Sequence, residues 1–296
     1  MSLRARLASL YLRAAHRPAY TSERRIAKSI AAPKTTHVPP TSIREALSVD
    51  RHTIEGRPCW MLRPRSGATR GAIIYVHGGS YVHEIAKQHW ELVARIAIET
   101  KCTAYVPIYG LAPEHDFREA YAFLTAVHRQ ATSAYDPSRV VLMGDSAGGG
   151  LALGLALVAK REGLPRVARL VLLAPWVDLA LENPKIPEVE KTDPWLTQRG
   201  LLAAGKAWSR GADPKMPELS PIHGDLAGLP PLTLWVGTRD ILWPDTVLLA
   251  ERARKSGVEV ELMEEEGLMH VHPLLPIPEG RAARDRIVHD LAALLS

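Results

Sequence analysis

The string GDSAGG at residues 144–149 constrains the fold most. It stands between a short apolar run, VVLM at 140–143, and a stretch rich in small residues and leucine that reaches Lys160. A buried strand, then Gly-x-Ser-x-Gly, then a helix is the pattern of a sharp turn that presents a serine at the edge of a sheet. The reason is steric. The serine sits in a strained backbone conformation, so its neighbours must be small, and Gly144, Ala147 and Gly148 are. The turn raises the Ser146 hydroxyl at a helix N-terminus, where backbone N–H groups can stabilise a developing oxyanion. The same letters also suit a glycine-rich helix start capped by a serine. The rest of the chain has to decide between the two.

Upstream, residues 47–54 and 59–63 are short extended runs separated by GRP, which suit an opening hairpin. Residues 71–76 (GAIIYV) read as a buried strand, 88–100 as a helix, 102–107 as a strand and 117–132 as a helix. Downstream, strands are expected at 170–174, 231–236 and 258–263, with helices at 244–255 and 281–295. This alternation predicts an α/β fold with a mostly parallel sheet and helices on both faces. Catalytic groups then belong at the carboxyl ends of the strands.

The loop after the first central strand is His77-Gly78-Gly79-Ser80-Tyr81. Glycines there let a substrate approach the main chain and meet its N–H groups, the second part of an oxyanion hole. His77 reads as a brace for this loop rather than a base. Two further groups complete a constellation. Asp240 follows the strand at 231–236, and His270 follows the strand at 258–263. Ser146, Asp240 and His270 stand in the order nucleophile, acid, base, each just beyond a strand, so all three can meet at one sheet edge. An unassisted serine is a poor nucleophile. His270 would take its proton, and Asp240 would hold the imidazole in the right tautomer. His272 is the rival base and Asp178 the rival acid. Asp145 is placed to brace the loop.

About fifty residues rich in proline and charge separate the strand at 170–174 from Leu229, with one helix expected at 197–209. Insertions of this length are usually lids or binding loops. Tyr81, Trp195 and Trp208 are the candidates for the substrate-binding wall, and the two tryptophans serve equally well as lid core. The first residues form a basic arm. Leu3, Leu7, Leu10, Tyr11 and Ala14 recur at helical spacing, with arginines expected on the opposite side. The arm has three readings: a helix over the site, a helix on a membrane surface, or a targeting segment. Residues 32–41, rich in proline and polar side chains, break the chain after it.

The net charge is +5, and its positive excess lies in residues 1–51, where Arg4, Arg6, Arg13, Arg17, Arg24, Arg25 and Lys28, with Lys34, Arg44 and Arg51 after them, face only Glu23, Glu45 and Asp50. No nucleic-acid-binding module accompanies this charge, so nucleic acid is not an expected partner. Two cysteines, Cys59 and Cys102, make no disulfide framework and fit a reducing cytoplasm. No cysteine, histidine or carboxylate set has zinc-like spacing, so no metal is expected, and no apolar run is long enough to span a membrane.

Taken together, HGGSY at 77–81, LAPEH at 111–115, DPSRV at 136–140, GDSAGG at 144–149, RDIL at 239–242 and His270 resemble the hormone-sensitive-lipase-like family of α/β hydrolases. These are the bacterial HGGG and GDSAGG esterases. The tail from Met269, MHVHPLLPIPEGRAA, is similar to esterases grouped with monoterpene ε-lactone hydrolases and acetyl hydrolases. The resemblance implies an eight-stranded α/β-hydrolase core at 46–178 and 226–296, with a cap from residues 1–45 and 179–225. It implies oxyanion donors at Gly78, Gly79 and Ala147, and a serine carboxylester hydrolase for short to medium acyl chains, without cofactor. The expected partner is a small ester or, alternatively, a lactone. Peripheral membrane contact by the arm and a homodimer stand beside it as open expectations, and so does a non-catalytic ligand-binding protein on the same fold. Two departures stand out. Ser80 replaces a third glycine, and Gly110 in IYGLAPEH replaces the family's arginine.

Overall fold

Strands β1 (Leu47–Ile54) and β2 (Arg57–Pro64) form an antiparallel hairpin. Its two turn residues, Glu55 and Gly56, both have positive φ, the requirement of a tight turn that matches strand twist. β2 then pairs antiparallel with β4 (Thr103–Pro107), and β4 pairs parallel with β3 (Ala72–Val76). From β3 the sheet continues parallel through β5 (Val140–Asp145), β6 (Arg169–Leu173), β7 (Leu232–Gly237) and β8 (Val260–Glu265). The sheet is thus mostly parallel and eight-stranded, in the order β1-β2-β4-β3-β5-β6-β7-β8. The computed structural model describes residues 1–34, 37–67 and 69–295. Thr35 and Thr36, within the proline-rich break, lie outside the described residues.

The central strands read as unbroken apolar runs because both faces of the sheet are covered. In β3, Ala72, Ile74 and Val76 point into one core, and Ile73 and Tyr75 into the other. In β5, Val140 and Leu142 are divided from Val141 and Met143 in the same way. Helices α5 (Phe117–Ala134), α6 (Ser146–Arg161) and α9 (Trp243–Lys255) pack on the first face. Helices α4 (Lys87–Thr100) and α10 (Pro278–Leu295) pack on the second. The chain leaves β3 toward β4 on one side and returns to β5 on the other. The ends of β3 and β5 therefore flank a crevice where the strand order reverses, the usual ligand site of such sheets.

Two helices fill the insertion between β6 and β7, where one was expected. The second, Gln198–Ser209, matches that expectation. The first, Ile186–Thr192, carries Pro187 in its opening turn, where the missing N–H costs no hydrogen bond. The arm contains helices Leu3–Tyr11 and Glu23–Ile30. The buried side of the first helix is Ala5, Ser9 and, one turn on, Leu12, packed on Leu268, Met269 and Ile277. The leucine stripe points outward. Among the described residues, no helix is long and apolar enough to cross a membrane.

The structure accounts for Gly110. A Cβ there would lie 2.4 Å from Arg57 Nη2 and 2.4 Å from the His115 ring. Arg57 reaches across from β2 to His115 Nδ1 at 2.7 Å and Glu119 Oε2 at 2.9 Å. The guanidinium thus enters from another strand, and residue 110 must leave it room. Gly110→Arg is expected to cost about 2 kcal/mol as an overpacking change. The double variant with Arg57→Ala should cost about 1 kcal/mol less than the sum of the single changes. A thermal-melt double-mutant cycle measures this coupling.

Candidate active site

Ser146 is the first residue of α6, and its φ is +50°. That conformation is costly for a residue with a side chain. It persists because the backbone around it is packed without clearance. A Cβ on Gly148 would meet Val76 O at 2.1 Å, and one on Gly144 would meet Gly148 O at 2.4 Å. The glycines of the motif therefore serve the approach of β3, β5 and α6 to one another.

Ser146, Asp240 and His270 come together. His270 Nε2 lies 3.0 Å from Ser146 Oγ, and His270 Nδ1 lies 2.8 Å from Asp240 Oδ2. All three residues are buried. Asp240 Oδ1 accepts the Leu242 N–H at 2.9 Å, which leaves Oδ2 for the imidazole. Burial opposes a charge on His270, but Asp240, followed by Asp193 and Asp145, outweighs it and the ring's pKa is raised. Neither rival joins the serine. Neither ring nitrogen of His272 has a partner, and burial lowers its pKa to about 4. Asp178 accepts N–H groups of Ala180 and Glu182 and the Ser220 hydroxyl, tying the start of the insertion to its end.

The oxyanion loop requires one correction. The Gly78 N–H, expected to face the substrate, donates to Asp145 Oδ1 at 2.9 Å. Asp145 also accepts the Tyr75 hydroxyl at 2.7 Å, and His89 Nε2 lies 3.2 Å from its second oxygen. His89 Nδ1 accepts the Ala86 N–H, so the His89 proton sits on Nε2 and is donated to Asp145. Burial works against the Asp145 charge, yet these donors hold its pKa below the usual range. Gly78 must be glycine because a Cβ would fall 2.2 Å from Asp145 Oδ2. Asp145 thus braces the loop from β5. His77 braces it too, donating from Nδ1 to Gly78 O at 2.7 Å and stacking on Tyr109. Burial and then His89 lower its pKa to about 4. Beyond Gly78, Ser80 and Tyr81 have φ of +54° and +64°. Backbone strain therefore gathers on both sides of Ser146.

A cavity of about 340 Å³ opens beside Ser146 and His270. Gly79, Ser80, Trp195, Leu196 and Leu274 line it, and from the arm so do His16 and Tyr20. Trp195 is edge-on to His270 at 5.7 Å, and His16 is edge-on to Trp195 at 5.9 Å. Tyr81 and Trp208 are not in that lining. They stack on each other at 4.7 Å, buried, with Trp176 behind Tyr81. Among the described residues, no cluster of three or more His, Cys, Asp or Glu side chains could hold a metal.

Asp193, in the insertion, is a site residue that sequence reasoning missed. It is fully buried, and Oδ2 accepts the Ile241 N–H at 2.8 Å, one residue after Asp240. Oδ1 accepts the N–H groups of Trp195 at 2.7 Å and Leu196 at 2.9 Å. Arg17 of the arm donates to the carbonyls of Asp193, Leu196 and Glu190. The Asp193 carboxylate thus ties the insertion to the turn carrying Asp240, and its backbone carbonyl ties the insertion to the arm. No local motif marks it, because its partners lie on separate segments.

A strained serine on a strand-to-helix turn, joined to a histidine and a buried carboxylate at the strand ends, defines the α/β-hydrolase class. The sequence profile of the α/β-hydrolase-fold family matches residues 73–274. The chain belongs to that family. It is 34% identical over 216 residues to an acetyl-hydrolase of Streptomyces hygroscopicus, covering 71% of this chain and 72% of that protein. It is 28% identical to an esterase of Acinetobacter venetianus, covering 81% and 84%. A solved hormone-sensitive lipase from a metagenome library superposes with a TM-score of 0.83 at 29% identity, over the whole of both chains.

Proposed function

We propose that this carboxylesterase works through Ser146, His270 and Asp240, and that it takes esters of short to medium acyl chains. The observation that carries the proposal is the 3.0 Å contact between Ser146 Oγ and His270 Nε2, with Asp240 on the far ring nitrogen. His270 takes the serine proton as Oγ attacks the ester carbonyl. It returns the proton to the leaving alcohol, and water repeats the sequence on the acyl-enzyme. The N–H groups of Gly79, Ser80 and Ala147 receive the oxyanion, and Gly78 supports them from behind by its bond to Asp145. The acyl preference is supported by the cavity, about 340 Å³, at the small end of the ~300–1,000 Å³ usual for ligand pockets. Residues 1–45 and 179–225 act as the cap, with Trp195 as its substrate-facing side chain.

A fluorophosphonate probe tests the reading directly. Labelling is expected on Ser146 alone, and it should vanish in His270→Ala. Labelling elsewhere, or none, overturns the reading. Comparing a lactone with an open-chain ester of equal size then separates the two substrate classes.

A further inference from the structure

The first helix, Leu3–Tyr11, turns its most apolar side to solvent. Leu3 is 71% exposed, Leu7 57%, Leu10 64% and Tyr11 63%. These positions fall on one stripe at helical spacing. Arg4 lies on one margin of the stripe and Arg6 on the other, both exposed. Arg13 is exposed just beyond the helix. Residues 1–22 contain no aspartate or glutamate. A stripe of large apolar side chains between arginines is the arrangement of a helix lying in a lipid headgroup layer, with the rings and leucines inserted and the guanidinium groups at the phosphates.

We infer that this helix docks the protein on an anionic phospholipid bilayer, with the mouth of the Ser146 cavity held beside the lipid. Charge complementarity selects that occupant. Two copies meeting through this stripe would set arginine against arginine, with no acid among residues 1–22 to pair them. A bilayer carrying phosphate groups offers the opposite charge across its whole surface. The geometry also gives the docking a consequence. The inner side of the helix is packed on Leu268 and Met269, directly before His270. Ser2 is held by Glu279 through its backbone N–H and through its hydroxyl, the latter at 2.9 Å. Farther along the arm, His16 and Tyr20 line the cavity itself. The docking face is therefore fixed to the site, so an ester dissolved in lipid reaches Ser146 without crossing bulk water. This consequence rests on the ester-hydrolase reading; the docking does not.

Vesicle flotation with the full chain tests it. Phosphatidylcholine vesicles with about 30% phosphatidylglycerol are expected to carry the protein, and phosphatidylcholine alone much less, with binding falling as salt rises. Leu7→Asp with Leu10→Asp should weaken binding at least about tenfold. That pair should leave hydrolysis of p-nitrophenyl acetate in solution unchanged, which also shows that the variant folds. Arg4→Gln with Arg6→Gln should weaken binding roughly thirtyfold, at about 1 kcal/mol for each basic residue at the surface. Ser146→Ala should float like wild type, so a failure of the hydrolase reading would not disturb this result. Absence of wild-type binding to the anionic vesicles would overturn the inference. So would binding indifferent to the Leu7/Leu10 pair, or a concentration-dependent dimer abolished by that pair.

Discussion

Ser146→Ala is expected to lower kcat for p-nitrophenyl butyrate by about 10⁵-fold, the scale seen when a triad nucleophile is lost. The residual rate should still exceed that in water, because the oxyanion donors and the cavity remain. Alanine keeps the backbone and removes only the hydroxyl, whose sole described partner outside the backbone is His270. It keeps a Cβ at the same positive φ, so the strain at residue 146 is not relieved and the melting temperature should barely change. Steady-state kinetics and a thermal melt on the same preparation check both halves. A variant retaining more than about a tenth of the wild-type rate would contradict the acyl-enzyme route, since triad members act as one unit.

Asp193→Asn is the second large expected effect. Asparagine keeps one carbonyl oxygen, enough for the N–H groups of Trp195 and Leu196. Its NH₂ then faces the Ile241 N–H, donor against donor. A buried N–H left without an acceptor costs about 1–3 kcal/mol. The turn after Asp240 can avoid that cost only by moving, and Asp240 moves with it. Misplacement of a catalytic group on this scale costs up to about 100-fold in rate. The loss should appear in kcat more than in KM, because Asp193 does not line the cavity. Stability should change less than kcat, since the substitution also removes one of two neighbouring buried carboxylates.

The pH profile distinguishes this from a merely structural defect. His270 must be neutral to act as base, and its raised pKa puts the acid limb of kcat/KM above the ordinary imidazole value of about 6.5. Burial and then Asp240 raise the pKa of Asp193 as well. Acidification therefore protonates both groups, and the limb should steepen toward a slope of two. Burial lowers the His270 pKa, and among the charges that raise it Asp193 comes after Asp240. Removing the Asp193 charge should shift the limb to lower pH and return its slope to one. The other charges near Asp193 are Asp240, His270, Arg239 and Arg17, and the substitution leaves them in place. A kcat loss with an unmoved profile would mean that Asp193 only stiffens the cap.

Much of this arrangement was legible in the chain because it is written locally. A run such as AIIYV or VVLM reads as a strand covered on both sides, and the small residues of GDSAGG, set between such a strand and a helix, suit a tight strand-to-helix passage. The order serine, aspartate, histidine, each just past a strand, follows from a parallel sheet whose strands all end on the same edge. Ser146 and His270 are 124 residues apart, yet the topology alone makes them neighbours.

What the chain does not encode locally is which partner a polar group selects. The Gly78 N–H has two possible acceptors, a substrate oxygen or a carboxylate, and only the approach of β5 assigns it to Asp145. The leucines of the first helix form a stripe on paper, but Ala5, Ser9 and Leu12 are what fit against Leu268 and Met269, so the stripe faces out. Gly110 and Arg57 fill one space from two strands, and Asp193 ties three segments that share no motif. Strand pattern and turn chemistry act over a few residues, so the sequence by itself determined the sheet, the elbow and the order of the reacting groups. Hydrogen-bond partners and buried faces depend on which surfaces meet, and those the tertiary structure decided.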